Sequence, residues 1–134
     1  MQYYLTGIDT RTWQRLRASG ALPDGRANMG VVVVNSFVFV YGGSRGIVYL
    51  NDLHMLNLGM LCLCKHCTLE SHVCVTDDMM WYRLDTDDTF PRPMACSAVC
   101  ALGTRMFLVG GKDNQQTYNY VYALQTGMSA LLCA

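Results

Sequence analysis

The chain has 134 residues, 51% of them hydrophobic, and its ten basic and ten acidic residues give a formal net charge of zero. That length holds one domain or part of one. A neutral balance excludes both the concentrated positive charge of a nucleic-acid surface and a polybasic membrane anchor.

Residues 1–6 lack the basic and apolar regions of a secretory signal. The longest apolar stretch, 30–43, is interrupted by Asn35 and Ser36 and is too short to span a bilayer. The expected setting is cytosolic or nuclear, where the seven unevenly spaced cysteines stay reduced and form no disulfide framework.

Residues 3–8 read as a strand, 9–11 as a turn and 13–17 as a second strand. Residues 19–25 carry Gly, Pro and Asp and read as a loop. The apolar run 29–34 has the pattern of a strand buried on both faces. Asn35-Ser36 is a two-residue turn, and 37–41 form the next strand, ended by Gly42-Gly43. A loop at 44–48 precedes a strand at 52–58. The composition changes from 59 to about 76. A strand around Trp81, a loop through 91–93, an apolar strand at 97–102 and a turn at Gly103-Thr104 follow. A strand at 106–109 leads into Gly110-Gly111, and a polar loop at 112–117 precedes a last strand at 120–124.

Two landmarks return at one offset. Gly42-Gly43 recurs as Gly110-Gly111, and Trp13 recurs as Trp81, each 68 residues on. A shared offset marks a structural repeat. Each unit is four short antiparallel strands with tight turns, the pattern of a propeller blade, which buries its faces only by stacking on neighbours.

In the first unit, residues 31–34, 37–41, Gly42-Gly43, Tyr49, Asn51-Asp52-Leu53 and Trp81 resemble the kelch repeat. In the second, residues 99–102, 106–109, Gly110-Gly111 and Tyr118-Asn119-Tyr120-Val121-Tyr122 do so. The resemblance implies an all-β fold: a partial β-propeller of about two kelch-type four-stranded antiparallel blades in an incomplete ring. Residues 1–18 would be the last two strands of a preceding blade. Residues 26–84 would be one blade with a Cys/His-rich insert at 59–76, 92–126 three strands of the next, and 127–134 an irregular tail. Trp13, Gly42, Gly43, Asp52, Trp81, Gly110 and Gly111 take structural parts in this motif. Paired glycines reach backbone angles closed to other residues, and the Trp and Tyr rings are expected to pack over the bare backbone.

The chain departs from the pattern in its period, since kelch units run about 50 residues. It also has Tyr118-Asn119-Tyr120 in place of Asn51-Asp52-Leu53, and a spacing of 18 from Arg92 to Gly110 against 16 from Arg26 to Gly42. Removing 59–76 restores a period of 50. That insert holds Cys62, Cys64, Cys67, Cys74, His66 and His72. Cys64, Cys67, His72 and Cys74 offer soft ligands for tetrahedral zinc, although one residue between His72 and Cys74 is tight for a metal pair. The alternatives are a reduced loop between the third and fourth strands, or a translated intron. Gly59-Met60 opens the insert and Gly127-Met128 the tail, again 68 apart, and a codon pair such as GGT-ATG carries the GTATG start of a splice donor.

No phosphate-binding glycine loop or nucleophile elbow is present. His54 reads as a solvent-facing strand residue and not a base, and 85–91 as a solvated acidic loop. The expectation is a non-catalytic protein-interaction module without a cofactor, binding a protein or peptide through interstrand loops. Its candidate contacts are Arg45, Ile47, Asp113, Asn114, Gln115 and, between blades, Arg92; the arginines suit partner carboxylates. Residues 24–26 come next. The alternative is a metal-binding or redox role for Cys62 to Cys74. A closed ring needs about 4–8 blades, so open strand edges and self-association through them are also expected.

Overall fold

The computed structural model describes residues 15, 17–58, 79–85 and 91–126, and the backbone of 61–62 and 74–75. Ten strands and no helix occur among them. They are β1 (Ser19–Gly20), β2 (Gly30–Val34), β3 (Phe37–Arg45), β4 (Val48–Asn57), β5 (Leu61–Cys62), β6 (Cys74–Val75), β7 (Met80–Leu84), β8 (Ala98–Leu102), β9 (Arg105–Val109) and β10 (Val121–Gln125). One sheet has the order β1-β7-β4-β3-β2, a second β10-β9-β8, and β5 pairs with β6. The larger sheets are open and close no ring.

Local chemistry explains the hairpins. β-Branched and aromatic residues fill β2, β3, β8 and β9. The turns between them place Asn35 (φ 55°) and Gly103 (φ 60°) in the left-handed region, as two-residue hairpins demand. The register repeats residue for residue at the 68-residue offset. Gly30 pairs with Tyr41 and Val34 with Phe37, as Ala98 pairs with Val109 and Leu102 with Arg105. Positive φ repeats too: Asn28 and Cys96 (55° and 59°), Gly42 and Gly110 (57° and 66°), Gly43 and Gly111 (96° and 115°).

Three expectations are corrected. The 44–48 loop is a tight hairpin with Gly46-Ile47 at its tip. β3 continues to Arg45 and β4 begins at Val48, because the double glycine forms a bulge between Tyr41 and Gly43 and does not end the strand. Ser19 and Gly20 do not lie in a loop; they run parallel to β7, opposite Met80 and Trp81. β2 is buried on one face only: Val31 and Val33 are exposed, since among the described residues only β8 and β9 of the second sheet pack across β2, over the other face.

The core lies between the two sheets. Val34, Phe39, Tyr41, Leu53 and Met55 from the first pack with Met94, Met106 and Leu108. Backbone bonds stitch the seam: Gly43 N–H to Met94 O (2.9 Å), Met94 N–H to Leu50 O (3.0 Å) and Cys96 N–H to Asn28 O (2.9 Å). The glycines allow close approach, Gly42 at this seam and Gly43 and Gly111 against the chain entering their own units. A Cβ on Gly42 would lie 2.6 Å from Met94 O, on Gly43 2.7 Å from Ala27 O, and on Gly111 2.4 Å from Ser97 Oγ. The expected aromatic cover is thus replaced by backbone, Met94 and Ser97, while Trp81 packs edge-on to His54 at 6.4 Å.

In the insert, β5 and β6 set Cys62 opposite Cys74 along the backbone. Cys64, His66, Cys67 and His72 lie outside the described residues, as do Trp13 and residues 127–134. Among the described residues no three His, Cys, Asp or Glu side chains group as metal ligands.

Candidate functional site

The hairpin tip between β3 and β4 and the loop between β9 and β10 occupy equivalent places in the two sheets. They are bonded to each other: Asn114 Nδ2 donates to the Ile47 carbonyl at 3.1 Å. Beside this link lies an open groove of about 350 Å³, lined by Tyr49, Arg92, Pro93, Asp113, Asn114 and Gln115. Four of the six expected contact residues therefore line one groove, and Ile47 adjoins it through its carbonyl. Ile47 presents its side chain to solvent at the hairpin tip, 84% exposed. Arg45 stands apart, its Nη1 donating to Asp24 Oδ2 at 3.1 Å with both side chains exposed.

Each wall of the groove is fixed from below. The Tyr41 hydroxyl, on a side chain 1% exposed, donates to the carbonyls of Pro91 (3.2 Å) and Arg92 (3.0 Å). This pins the segment that carries Arg92 over the first sheet. Burial, with the nearby Tyr122 and Asp52, raises the Tyr41 phenol above its usual range, so the hydroxyl stays a donor. On the opposite wall, Asp113 Oδ1 accepts from the N–H groups of Gln115 (2.7 Å) and Gln116 (2.9 Å). Its Oδ2 accepts from the Tyr118 hydroxyl. These bonds, Tyr118 first, lower the Asp113 carboxyl below its usual range, with a smaller contribution from Arg92. Asp113 thus organises the loop as an Asx turn, leaving Arg92, Asn114 and Gln115 as exposed polar groups around the groove.

A second polar cluster lies deeper. The Arg26 guanidinium grips the Asp52 carboxylate with both terminal nitrogens, Nη2 to Oδ2 at 2.9 Å, and Nη1 also donates to the Gly42 carbonyl at 3.2 Å. His54 Nε2 lies 2.9 Å from Asp52 Oδ2 and Nδ1 lies 3.1 Å from the Ala21 carbonyl. Burial pushes the Asp52 carboxyl up, but the Arg26 and His54 bonds and charges outweigh it and hold it at about 2. Two readings are corrected here. Arg26 is unavailable to a partner, with its side chain 3% exposed. His54 is buried, because β4 is flanked by β3 and β7 and the chain at Ala21 covers the ring. The cluster ties β3, β4 and the chain at 21–26 together.

Sequence reasoning missed Tyr49 and Pro93 as groove walls. In the sequence Tyr49 belongs to the repeat motif and Pro93 to a loop; only the approach of the two sheets makes them neighbours.

Comparison with known proteins agrees with this architecture. Residues 1–131 match the KLHDC2/KLHL20/DRC7 Kelch-repeats domain. The chain is 27% identical over 113 residues to acyl-CoA-binding domain-containing protein 4 of Arabidopsis thaliana, covering 84% of this chain and 14% of that protein. It is 31% identical over 101 residues to Rho GTPase-activating protein gacHH of Dictyostelium discoideum, covering 73% of this chain and 5% of that one. It is 24% identical over 127 residues to tip elongation aberrant protein 1 of Schizosaccharomyces pombe, covering 95% and 10%. The chain therefore spans a small part of the length of these relatives.

Proposed function

The chain belongs to the kelch-repeat family, whose domains are generally protein-binding scaffolds and typically non-catalytic, and on that premise we propose that it binds an extended peptide segment of a partner protein in the groove between its two sheets. The observation that carries this reading is the Asn114–Ile47 hydrogen bond, which joins loops from successive blades into one rigid wall. Arg92 supplies the positive charge for a carboxylate on the peptide, and the amides of Asn114 and Gln115 suit its backbone groups. Arg45 lies outside the groove, and its exposed pairing with Asp24 is worth little, so it offers a separate contact for a partner carboxylate. A cytosolic or nuclear setting, with reduced cysteines, belongs to the same proposal.

A displayed-peptide selection against the intact chain tests it. Selected peptides should be enriched in Asp, Glu or a free C-terminus. Arg92→Ala should weaken them about tenfold, the loss expected of one charge-assisted hydrogen bond, with the unfolding midpoint unchanged. Peptides that bind Arg92→Ala and Asn114→Ala as tightly as the parent chain would remove the groove from consideration.

A further inference from the structure

We propose that Cys62 and Cys74, set opposite each other on β5 and β6, are a redox-active pair that closes as a reversible disulfide across the insert.

The backbone brings them to that register. β4 and β7 run antiparallel, from Leu53 opposite Leu84 out to Asn57 opposite Met80. β5 and β6 resume the same antiparallel sense, with Leu61 opposite Val75 and Cys62 opposite Cys74. Three residues, 58–60, separate the two ladders on the outgoing chain and four, 76–79, on the return. The second ladder thus takes up the pairing of the first with an offset of one residue. Apolar residues flank both cysteines in the sequence, Leu61 and Leu63 on one side and Val73 and Val75 on the other, which suits strand pairing.

Opposed residues of an antiparallel ladder share a face, with Cα atoms about 4.5 or 5.5 Å apart according to position. A disulfide spans Cα separations of about 4.4–6.8 Å. Either kind of opposed position therefore admits the bond without moving the backbone. No other cysteines stand opposite each other among the described residues. Cys100 lies opposite Phe107, and Cys96 lies outside the strands. Both are exposed thiols, and they measure how far oxidation proceeds without a partner in register.

The oxidant is a small-molecule disulfide of the glutathione class. The thiolate of one cysteine attacks a sulfur of glutathione disulfide, forms a mixed disulfide and releases one glutathione thiolate. The thiolate of the second cysteine attacks the protein sulfur of that mixed disulfide and releases the other glutathione thiolate. The pair gives up two electrons and two protons, and glutathione disulfide takes up both to leave as two glutathiones. Excess glutathione runs the exchange backwards, so the link follows the thiol balance around the chain.

Disulfide mapping on the intact chain tests the proposal. The chain is equilibrated in glutathione buffers from reducing to oxidising, and free thiols are then blocked with N-ethylmaleimide. Trypsin cuts after Arg45, Lys65 and Arg83, which places Cys62 in residues 46–65 and Cys74 in residues 66–83. Those two peptides should be joined after oxidation and part on adding dithiothreitol. Fragmentation of the joined pair should place the link at Cys62 and Cys74. The link should form at a ratio of glutathione to its disulfide about tenfold more reducing than the ratio that first modifies Cys96 or Cys100. The Cys64→Ser, Cys67→Ser double variant should keep it. Cys62→Ser should lose it and leave Cys74 to carry a single glutathione. The parent oxidised in urea should give mixed pairings, because the register is gone.

The proposal is overturned if oxidation joins Cys64 to Cys67 while Cys62 and Cys74 remain open to maleimide. It is overturned if Cys62 and Cys74 stay reduced until Cys96 and Cys100 are modified, or if the same pairing forms as selectively in urea, which would trace it to nearness in sequence and not to β5 and β6. Zinc that copurifies and shields Cys74 from maleimide in every buffer overturns it as well, since a metal thiolate would then hold that position. The main reading is made on the parent chain, so it stands whether or not a variant folds.

Discussion

The Gly43 amide donates to the Met94 carbonyl at 2.9 Å, so the double glycine of the first unit is bonded to the chain entering the second. Both glycines have positive φ, and a Cβ on either would fall within 2.7 Å of a backbone carbonyl oxygen. Gly43→Ala should therefore cost about 1–3 kcal/mol in urea unfolding. Gly25 is the control: a Cβ there meets nothing within 4 Å, and Gly25→Ala should be neutral or slightly stabilising. Equal losses at both sites would show that the close approach of Ala27 is not what Gly43 serves.

Arg26 and Asp52 form the buried ion pair of the first blade, with side chains 3% and 16% exposed. At the same place in the second blade the chain has Met94, itself 1% exposed, so the architecture accepts an apolar residue there. Arg26→Met alone should cost about 3 kcal/mol, because it strands the Asp52 carboxylate. Arg26→Met combined with Asp52→Leu should recover most of that loss. A double-mutant cycle by denaturant titration reads the difference, and additive losses would rule out direct coupling of the two.

Asp52 also sets an acid limit. Its carboxyl is held at about 2 against an ordinary value of 3.8. A group with a depressed folded-state pKa contributes stability that is complete above its unfolded value and is lost as pH falls through the folded value. Stability should therefore decline from about pH 5 toward pH 2, by roughly 1–2 kcal/mol after allowance for solvent screening. In Asp52→Asn this part of the decline should be missing when unfolding midpoints are compared across that range.

The strands and turns were legible because their signals are local. The β-branched and aromatic run of β3, the Asn35-Ser36 turn and the double glycines each depend on a few adjacent residues. What escaped depends on distant segments. Val31 and Val33 are as apolar as Val32 and Val34, and only the presence of a neighbour on one side alone separates them. Arg26 and Asp52 are 26 residues apart, and nothing in either segment announces the other. His54 is buried by a carbonyl, that of Ala21, which carries no sequence signature. In the groove, Arg92, Asp113, Asn114 and Gln115 were readable as polar loop residues. Asp113 shapes its loop through local bonds to Gln115 and Gln116, and the added bond from Tyr118 appears only once the loop is folded.

Ser97 Oγ is buried with no hydrogen-bond partner among the described residues and lies under Gly111. A buried hydroxyl without a partner carries its full desolvation cost. Ser97→Ala removes that oxygen while keeping Cβ, and should raise stability by about 1 kcal/mol, seen as a higher unfolding midpoint at unchanged urea dependence. A lower midpoint would mean that the hydroxyl is satisfied in solution.

Cys96 sits at φ 59°, and its counterpart Asn28 at φ 55°; the Cys96 N–H bonds to the Asn28 carbonyl. The left-handed region is costly for most side chains and least so for Gly, Asn and Asp. The second unit thus keeps the backbone angle of the first without the residue suited to it. Cys96→Asn should relieve part of that strain, raising stability by up to about 1 kcal/mol. Cys96 is exposed, so no core packing is lost. Cys100→Asn is the contrast, since Cys100 is also an exposed thiol but lies in β8 with an ordinary φ, where Asn is a poor strand former. Thermal unfolding under reducing conditions should separate the two, upward for the first and level or downward for the second. A rise in both would trace the gain to loss of a thiol and not to the backbone.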